Sequence, residues 1–583
     1  MDNAKIAQVL EEMAELLEFR GENPFRIRAY QNGARAIRDL DEPVAAILED
    51  PQRDLASLPG IGETLEEKCR TLVETGSLPQ LEKLRREVPQ VLVEVSRVPG
   101  VGPKKASRLV EELGLGSLED LRLACQQGRV GKLKGFGAKT EASILDGLTI
   151  AEQASERVYW CDGHTLAESI GRHMARCETI RKMSWAGSYR RGKETVGDLD
   201  LVAVAADRQA AMDHFEKFPE RTQTIGRGET KLSMRVGDAF QVDLRLVAPE
   251  EFGAALQYFT GSKAHNVHLR RIAKRLGLKV NEYGVFREPG GSRVAGETEE
   301  DVYQALGLPW IPPELREDRQ EFEWAQGPGL PSLLQLEEIR GDLHMHTSAT
   351  DGTATVREMA EAAIARGLEY IAITDHSRRV TMAGGLDPKR LRDQWRTIDE
   401  LRPEFEGRLR ILKGIECDIL EKGGMDLPDD CLAEADWVLA SVHYGQRQSR
   451  EEITDRILGA IENAHVDCIA HPTGRLINRR PPYDVDLETI FAAAKKRGKF
   501  LELNANPARL DLDDVHLAAA RRHGIPIVIN TDAHSTHGLD VMSEGVRQAR
   551  RAGLSAEAVA NTRSADELLT LCRRDSSWAE SEC

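Results

Sequence analysis

The stretch GDLHMHTSATDG, residues 341–352, sets His344, His346 and Asp351 close together. Side chains alternate across a strand, so an H-x-H spacing puts both imidazoles on one side. Further metal-ligand types recur where apolar segments end. They are His376 in EYIAITDH, Glu416 in RILKGIECDI, His443 in DWVLASVH, His471 in VDCIAHP, and Asp532 with His534 in PIVINTDAH. Any one of these histidines could simply cap a strand. Six segments ending in the same types point instead to one shared centre. Nine such residues exceed what one ion needs, and two or three ions sharing bridging carboxylates is the natural count. Imidazole with carboxylate suits Mn²⁺, Zn²⁺ or Fe²⁺ better than Mg²⁺. Clustered ions of this kind activate a water and clamp an in-line displacement at phosphorus.

A second constellation lies upstream, in GSYRRGKETVGDLDLV, residues 187–202. Asp198 and Asp200 are two apart on an expected strand, so both carboxylates share a face. The segment QVDLRLV adds Asp243. Three close carboxylates repel one another unless hard cations sit between them. Two Mg²⁺ or Mn²⁺ ions would bridge them, one activating an attacking hydroxyl and one holding a triphosphate. The Gly187–Ser188 turn and Arg190–Arg191 offer donors to triphosphate oxygens. A D-x-D alone is often a solvated strand end. The G-S turn, the arginine pair and the third aspartate make that reading insufficient here.

Elements must bring these residues together. From residue 339, seven apolar strand candidates recur, several separated by helical patterns such as VREMAEAAIARGL. Strand–helix alternation predicts parallel βαβ units, and a barrel of parallel strands gathers its C-terminal ends on one face. The upstream site belongs to strand-like runs KMSWAGS, DLDLVAVAA and AFQVDLRLV. A mixed helical segment follows to about 317, and EFEWAQGPGLPSLLQLEE (321–338) reads as a linker. The N-terminal MDNAKIAQVLEEMAELLEF has apolar spacing of an amphipathic helix, unlike a signal peptide. Three stretches, LPGIGETLEEKC, VPGVGPKKASRL and LKGFGAKTEASIL, repeat a glycine–apolar–glycine turn opening a helix. Their Gly60, Gly62, Gly100, Gly102, Gly135 and Gly137 let backbone approach a phosphate, with free helix N–H groups and Lys104, Lys105 and Lys139 nearby. Three tight helix–helix turns would be the plainer account.

Composition sets limits. A length of 583 residues predicts several domains. The hydrophobic share of 41% and charged share of 30% are those of a globular chain. No apolar run approaches the roughly 20 residues that span a bilayer. Nine dispersed cysteines fit free thiols in a reducing cytoplasm, and argue against a cysteine zinc site. The net charge of −17 is uneven, about −3 on residues 1–300 and −14 beyond. The first part can therefore present basic faces to a polyanion.

The repeated turns resemble helix-hairpin-helix modules, which grip DNA backbone. GSYRRGKETVGDLD, QVDLRLV and YFTGSKAHNVHLR together resemble the family X DNA polymerases. That resemblance implies Asp198, Asp200 and Asp243 as catalytic metal ligands, with Gly187, Ser188 and Arg191 at the triphosphate. It places Tyr258 and Phe259 beside the incoming sugar, Gly261 against the nucleotide, and Asn266 and Arg270 near the nascent base pair. Many eukaryotic members have arginine where Gln241 stands here. Lys68 aligns with the family's Schiff-base lysine, but the accompanying lysine is Thr64. Glu63, Glu66 and Glu67 would hold a proton on Lys68, so a plain surface lysine accounts for it as well.

GDLHMHT, ITDH, GIECDI, SVH, HPTGR and NTDAH resemble the PHP (polymerase and histidinol phosphatase) domain, a distorted seven-stranded (β/α) barrel. No ligand of that family is missing, which implies live hydrolysis, and Arg475, Asn504 and Asn506 are candidates to meet substrate phosphate. The whole then resembles a bacterial family X polymerase with a C-terminal PHP domain. The expected order is a helical lyase-like DNA-binding domain (1–85), helix-hairpin-helix fingers (86–155), an α+β nucleotidyltransferase palm (156–246), a thumb (247–317), a linker (318–338), the PHP barrel (339–573) and a flexible tail (574–583). The implied function is short-gap DNA synthesis in base excision repair. A Mn²⁺-stimulated 3′–5′ exonuclease accompanies it, with AP endonuclease or 3′-phosphatase activity as further options. Gapped or primed DNA, dNTPs and other repair proteins would be the partners of a cytoplasmic monomer. Two rivals are a barrel acting on small phosphate esters or pyrophosphate, and a DNA-binding scaffold with a relic palm.

Overall fold

A computed structural model of the chain describes residues 3–572 except 21, 39–43, 51–52, 58–59, 97, 99–100, 139, 143, 146, 149–156 and 238–239. The chain divides into two compact units, residues 1–155 with 478–481, and residues 156–477 with 482–583.

The first unit is helical. The expected amphipathic helix runs Asn3–Phe19 and buries Ile6, Leu10, Met13 and Leu17 against Tyr30, Ala34 and Ile37 of Pro24–Arg38. Leu65, Cys69 and Leu72 of the Glu63–Thr75 helix complete that core. A second core gathers Val101, Ala106, Leu109, Leu121, Val130, Phe136 and Ile144.

The second unit holds the palm, the thumb and the barrel. The palm is a five-stranded mixed sheet in the order Ile180–Trp185, Asp198–Ala205, Phe240–Leu246, Lys231–Val236, Arg221–Arg227. Leu199, Leu201 and Ala203 point into its core, which puts Asp198 and Asp200 on the opposite face. The last two of these strands, Lys231–Val236 and Arg221–Arg227, are not among the strand-like runs picked out of the sequence. The thumb adds helices Phe252–Thr260 and Lys263–Arg275 and an antiparallel three-stranded sheet. Residues 318–338 are packed: Phe322 and Leu333 join the thumb core and Leu334 the barrel core.

The barrel has seven strands, all parallel and in sequence order. Its first strand pairs only over Gly341–Asp342. His344 and His346 therefore lie beyond it, on a segment joined to the residues just past the last strand, Ile527–Asn530, by a Met345–Ala533 bridge and by the His346 N–H donating to the Ala533 carbonyl at 2.8 Å. That contact nearly closes the sheet on itself. Among the described residues no helix is long and apolar enough to cross a membrane.

Candidate active sites

In the palm, Asp200 stands opposite Asp243 across the parallel strand pair, and Asp198 opposite Gln241. Burial, then the neighbouring carboxylates Asp198 and Asp243, pushes the Asp200 pKa up to about 6. Burial followed by Asp243 raises Asp198 as well. Cations answer this charge: Lys231 Nζ lies 2.6 Å from Asp243 Oδ2, and Arg245 Nε 3.9 Å from Asp200 Oδ1. Gln241 Nε2 donates to Asp243 Oδ1 at 3.1 Å. Neither Lys231 nor Arg245 stood out in the sequence, although both are register partners in the very strands that carry Asp243 and its neighbour. Two acids whose pKa values burial and neighbouring carboxylates raise, with lysine and arginine as counter-charge, are a donor set that fits hard divalent ions.

Gly187 opens the short Gly187–Arg190 helix at φ +65°, and a Cβ there would stand 2.9 Å from Asp200 Oδ2. Both facts demand glycine beneath the aspartates. Ser188 and Arg191 follow on this turn. Arg191 Nε reaches Glu317 Oε1 at 3.0 Å and its Nη1 the Thr260 carbonyl at 2.5 Å. Arg190 instead turns away, bonding Thr260 and both oxygens of Glu299. Arg190 therefore lies on this turn with its guanidinium committed to Glu299. Phe259 lies under the Arg245 guanidinium at 4.0 Å and edge-on to Tyr258. Gly261, at φ +69°, follows that pair, and a Cβ would meet Arg191 Nη1 at 3.4 Å. Asn266 donates to the Tyr258 carbonyl at 2.7 Å and accepts from Gln257, and Arg270 Nε donates to the Asn266 carbonyl. These residues thus form one connected surface beside the aspartates.

In the barrel, three overlapping sets have ligand atoms within 4.8 Å of one another: His346, Asp351, His376 and His534; His344, His346 and Glu416; His376, Glu416 and His443. His471 Nε2 lies 2.9 Å from Glu416 Oε1, and Asp532 Oδ1 3.1 Å from His346 Nε2. All nine sequence candidates are therefore brought to one end of the barrel. Several of their buried atoms, including His344 Nε2, His376 Nδ1, Glu416 Oε2 and Asp351 Oδ1, have no hydrogen-bond partner. His376 Nδ1 and Glu416 Oε2 are only 2.7 Å apart, yet neither meets hydrogen-bond geometry. Orphaned lone pairs on buried imidazole and carboxylate are costly unless something accepts them, and this donor set fits divalent cations.

Electrostatics agree. Burial opposes charge on His376, but Glu416 and Asp351 outweigh it and lift its pKa to about 10. Burial likewise opposes charge on His344, and Glu502, Asp532 and Glu416 raise it well above the ordinary value. His346, buried and beside His534 and His376, is pushed down to about 3. Both upward shifts mark a place where the surrounding carboxylates favour positive charge.

Further residues act behind this layer. Glu502 Oε1 accepts from His344 Nδ1 at 2.7 Å and its other oxygen from the His471 N–H, which turns His344 Nε2 inward. Asp418 Oδ1 approaches His443 Nδ1 at 3.2 Å in the same manner. Glu502 lies on the sixth strand, which supplies no inner ligand. The signal was a lone glutamate inside the apolar run FLELNAN. Asn504 Nδ2 donates to Glu502 and to Asp532 Oδ2, and so orients ligands. Asn506 caps its own turn through the Ala508 N–H. Arg475 is held by Glu194, 2.5 Å away, and by the Leu510 carbonyl.

In the helical unit, Gly62 and Gly102 cap the helices Glu63–Thr75 and Pro103–Leu113, and the Gly137 carbonyl accepts from the Glu141 N–H. Gly60 and Gly135 sit at φ +85°, a conformation that favours glycine. Gly62, Gly102 and Gly137 need none of this: each has open space where a Cβ would lie. Lys104 is exposed and Lys105 half-buried at the second turn. Lys68 is half-buried, next to the buried Cys69. Gly100 and Lys139 lie outside the described residues.

A mixed palm sheet with three facing aspartates, joined to a histidine-lined parallel barrel, defines a class of two-centre enzymes that act on phosphate esters. Known families divide the chain the same way. A helix-hairpin-helix domain matches residues 1–78, a SAM-like helix-hairpin-helix tandem 92–149, the DNA polymerase beta thumb 255–317 and the PHP domain 342–506. The DNA polymerase/3′-5′ exonuclease PolX of Bacillus subtilis is 41% identical over 99% of this chain and all of its own length. DNA polymerase lambda of Rattus norvegicus is 29% identical over 54% of this chain and 56% of its own. A probable phosphatase of Thermoanaerobacter sp. (strain X514) is 32% identical over 38% of this chain and 89% of its own. The chain belongs to the bacterial family X DNA polymerases that carry a C-terminal PHP domain.

Proposed function

We propose that this chain extends DNA primers at the palm, filling short gaps during base excision repair, and degrades DNA 3′ ends at the barrel. The observation that carries this reading is that two separate ligand sets, Asp198–Asp200–Asp243 and the nine barrel residues, are each complete in one chain. Two Mg²⁺ or Mn²⁺ ions in the palm, and two or three Mn²⁺, Zn²⁺ or Fe²⁺ ions in the barrel, would activate the attacking oxygen and neutralise charge at phosphorus. The chain's own residues do the rest. Ser188 and Arg191 bind the triphosphate, Tyr258 and Phe259 shape the sugar pocket, and Gly261 admits the nucleotide. Asn266 and Arg270 face the nascent pair, while Gln241 orients Asp243. Glu502 and Asp418 fix the tautomers of His344 and His443. Gly60, Gly62, Gly102, Gly135 and Gly137, with Lys104, grip the DNA backbone. The protein acts as a cytoplasmic monomer on gapped DNA and dNTPs.

A 3′-labelled gapped duplex tests both halves at once. Asp198→Ala with Asp200→Ala abolishes extension and leaves 3′ degradation, and His344→Ala with His346→Ala does the reverse. Loss of both activities in either variant overturns the two-site reading. Cleavage of free phosphomonoesters far faster than DNA 3′ ends would assign the barrel to small phosphate esters instead.

A further inference from the structure

The helix Met542–Arg551 belongs to the barrel and touches the palm. On one side Gly545 packs so closely that a Cβ would stand 2.5 Å from Ile529 Cγ2, on the strand that leads to Asp532 and His534. On the other side lies the palm segment 187–194. The Arg547 guanidinium sits 3.7 Å over the Trp160 ring, and a Cβ on Gly192 would come 2.7 Å from Arg547 Cδ. Trp160 Nε1 in turn donates to the Tyr189 carbonyl at 2.8 Å. Gln548 Nε2 donates to Glu194 Oε1 at 2.6 Å. Arg551 is buried completely. It donates to the Arg191 carbonyl at 2.6 Å, to Asp514 at 2.5 Å and to Glu317 at 3.2 Å.

We propose that Arg551, a barrel residue, is a positioning residue for the palm's incoming nucleotide. It fixes the main chain at Arg191, and it shares the carboxylate that holds the Arg191 side chain. The inference rests on reading Gly187–Arg191 as the triphosphate turn. Glu317 Oε1 is 3.0 Å from Arg191 Nε and 3.7 Å from Lys193 Nζ, and Arg551 is its third cation. A carboxylate divided among three cations holds each less tightly than one it must neutralise alone. Without Arg551, Glu317 retains Arg191 more firmly, and the triphosphate must compete harder for that guanidinium. The turn also loses the donor on its last carbonyl. Both effects weaken nucleotide binding and leave the three aspartates untouched.

The full-length protein tests this with steady-state extension of a gapped duplex and 3′ degradation measured side by side. Arg551→Gln is expected to raise the dNTP KM roughly tenfold with kcat changed less than about threefold, the mark of lost binding rather than lost chemistry. Arg551→Lys should recover part of the affinity, because one ammonium reaches the carbonyl or a carboxylate but not all three partners. Removing a buried cation leaves Asp514 short of charge, so Arg551→Gln/Asp514→Asn, which keeps the local balance, is assayed in parallel. A raised KM in the double variant, with 3′ degradation and the unfolding midpoint at parental values, supports the proposal. A parental KM in both variants, or equal loss of both activities, overturns it. Failure of the unaltered chain to extend primers would count against the polymerase reading itself, and is seen before any variant is made.

Discussion

Single side chains decide how firmly each centre is held. Glu502 is the plainest case, because its only described work is on His344, His471 and their neighbours. Glu502→Gln should weaken divalent-metal binding to the barrel by 10- to 100-fold, measured by titration of the metal-free protein, with extension by the palm unchanged. Glu299 decides stability. Burial would raise its pKa, but Arg316 and Arg190 outweigh burial and hold it at about 2. A carboxylate depressed in the folded state contributes fully above its unfolded pKa near 4.5, and that contribution fades as pH falls toward 2. Glu299→Gln leaves Arg316 buried and unpaired, so it should cost about 3–5 kcal/mol at pH 7 and flatten the acid limb between pH 4.5 and 2 in denaturant titrations. A parental acid limb would refute this. At this scale the sequence was legible where ligand residues end apolar segments, as His376, His443 and Asp532 do. Glu502 went unread although it interrupts an apolar run, and the sequence was silent on Lys231 and Arg245, whose meaning comes from strand register.

Elements explain why certain glycines are where they are. Gly187→Ala forces a left-handed backbone onto a residue with a Cβ and drives that Cβ to within 2.9 Å of Asp200 Oδ2. Extension should fall at least a hundredfold while 3′ degradation persists. Gly62 behaves oppositely. Its fold has room for a Cβ, so Gly62→Ala should keep the parental unfolding midpoint yet weaken binding of labelled gapped DNA, because the backbone can no longer meet a phosphate closely. Unchanged DNA affinity would return this turn to plain helix packing. Alternation and helical spacing made most elements legible, including Asn3–Phe19 and the seven barrel strands. The Arg221–Arg227 strand escaped because its residues are mostly polar and exposed, and Lys231–Val236 escaped because lysine, serine and arginine separate Leu232, Met234 and Val236, the three side chains it buries in the palm core.

At the scale of the whole molecule, the barrel concentrates buried polar atoms that lack partners, and so stores a cost that bound metal relieves. Ligands that bind only the folded state stabilise it by about 2.7 kcal/mol at a hundredfold excess over Kd. Exhaustive chelation should therefore lower the unfolding midpoint of the barrel, and adding Mn²⁺ back should restore it. An unmoved midpoint would argue that the site is already satisfied without metal. The sequence announced the two chemistries but not their contact. The sparse periodicity of residues 321–338 conceals that Phe322, Leu333 and Leu334 are buried in two different cores.

The seam along Met542–Arg551 bears on inheritance. Recombination that gave this palm a foreign barrel would strip Glu194 of Arg475 and Gln548, uncover Trp160 and leave Gly192 facing a gap. A barrel gained by such an exchange would have to bring matching cations with it. The two halves are thus expected to descend together, with substitutions at 191–194 and 547–551 occurring in compensating pairs.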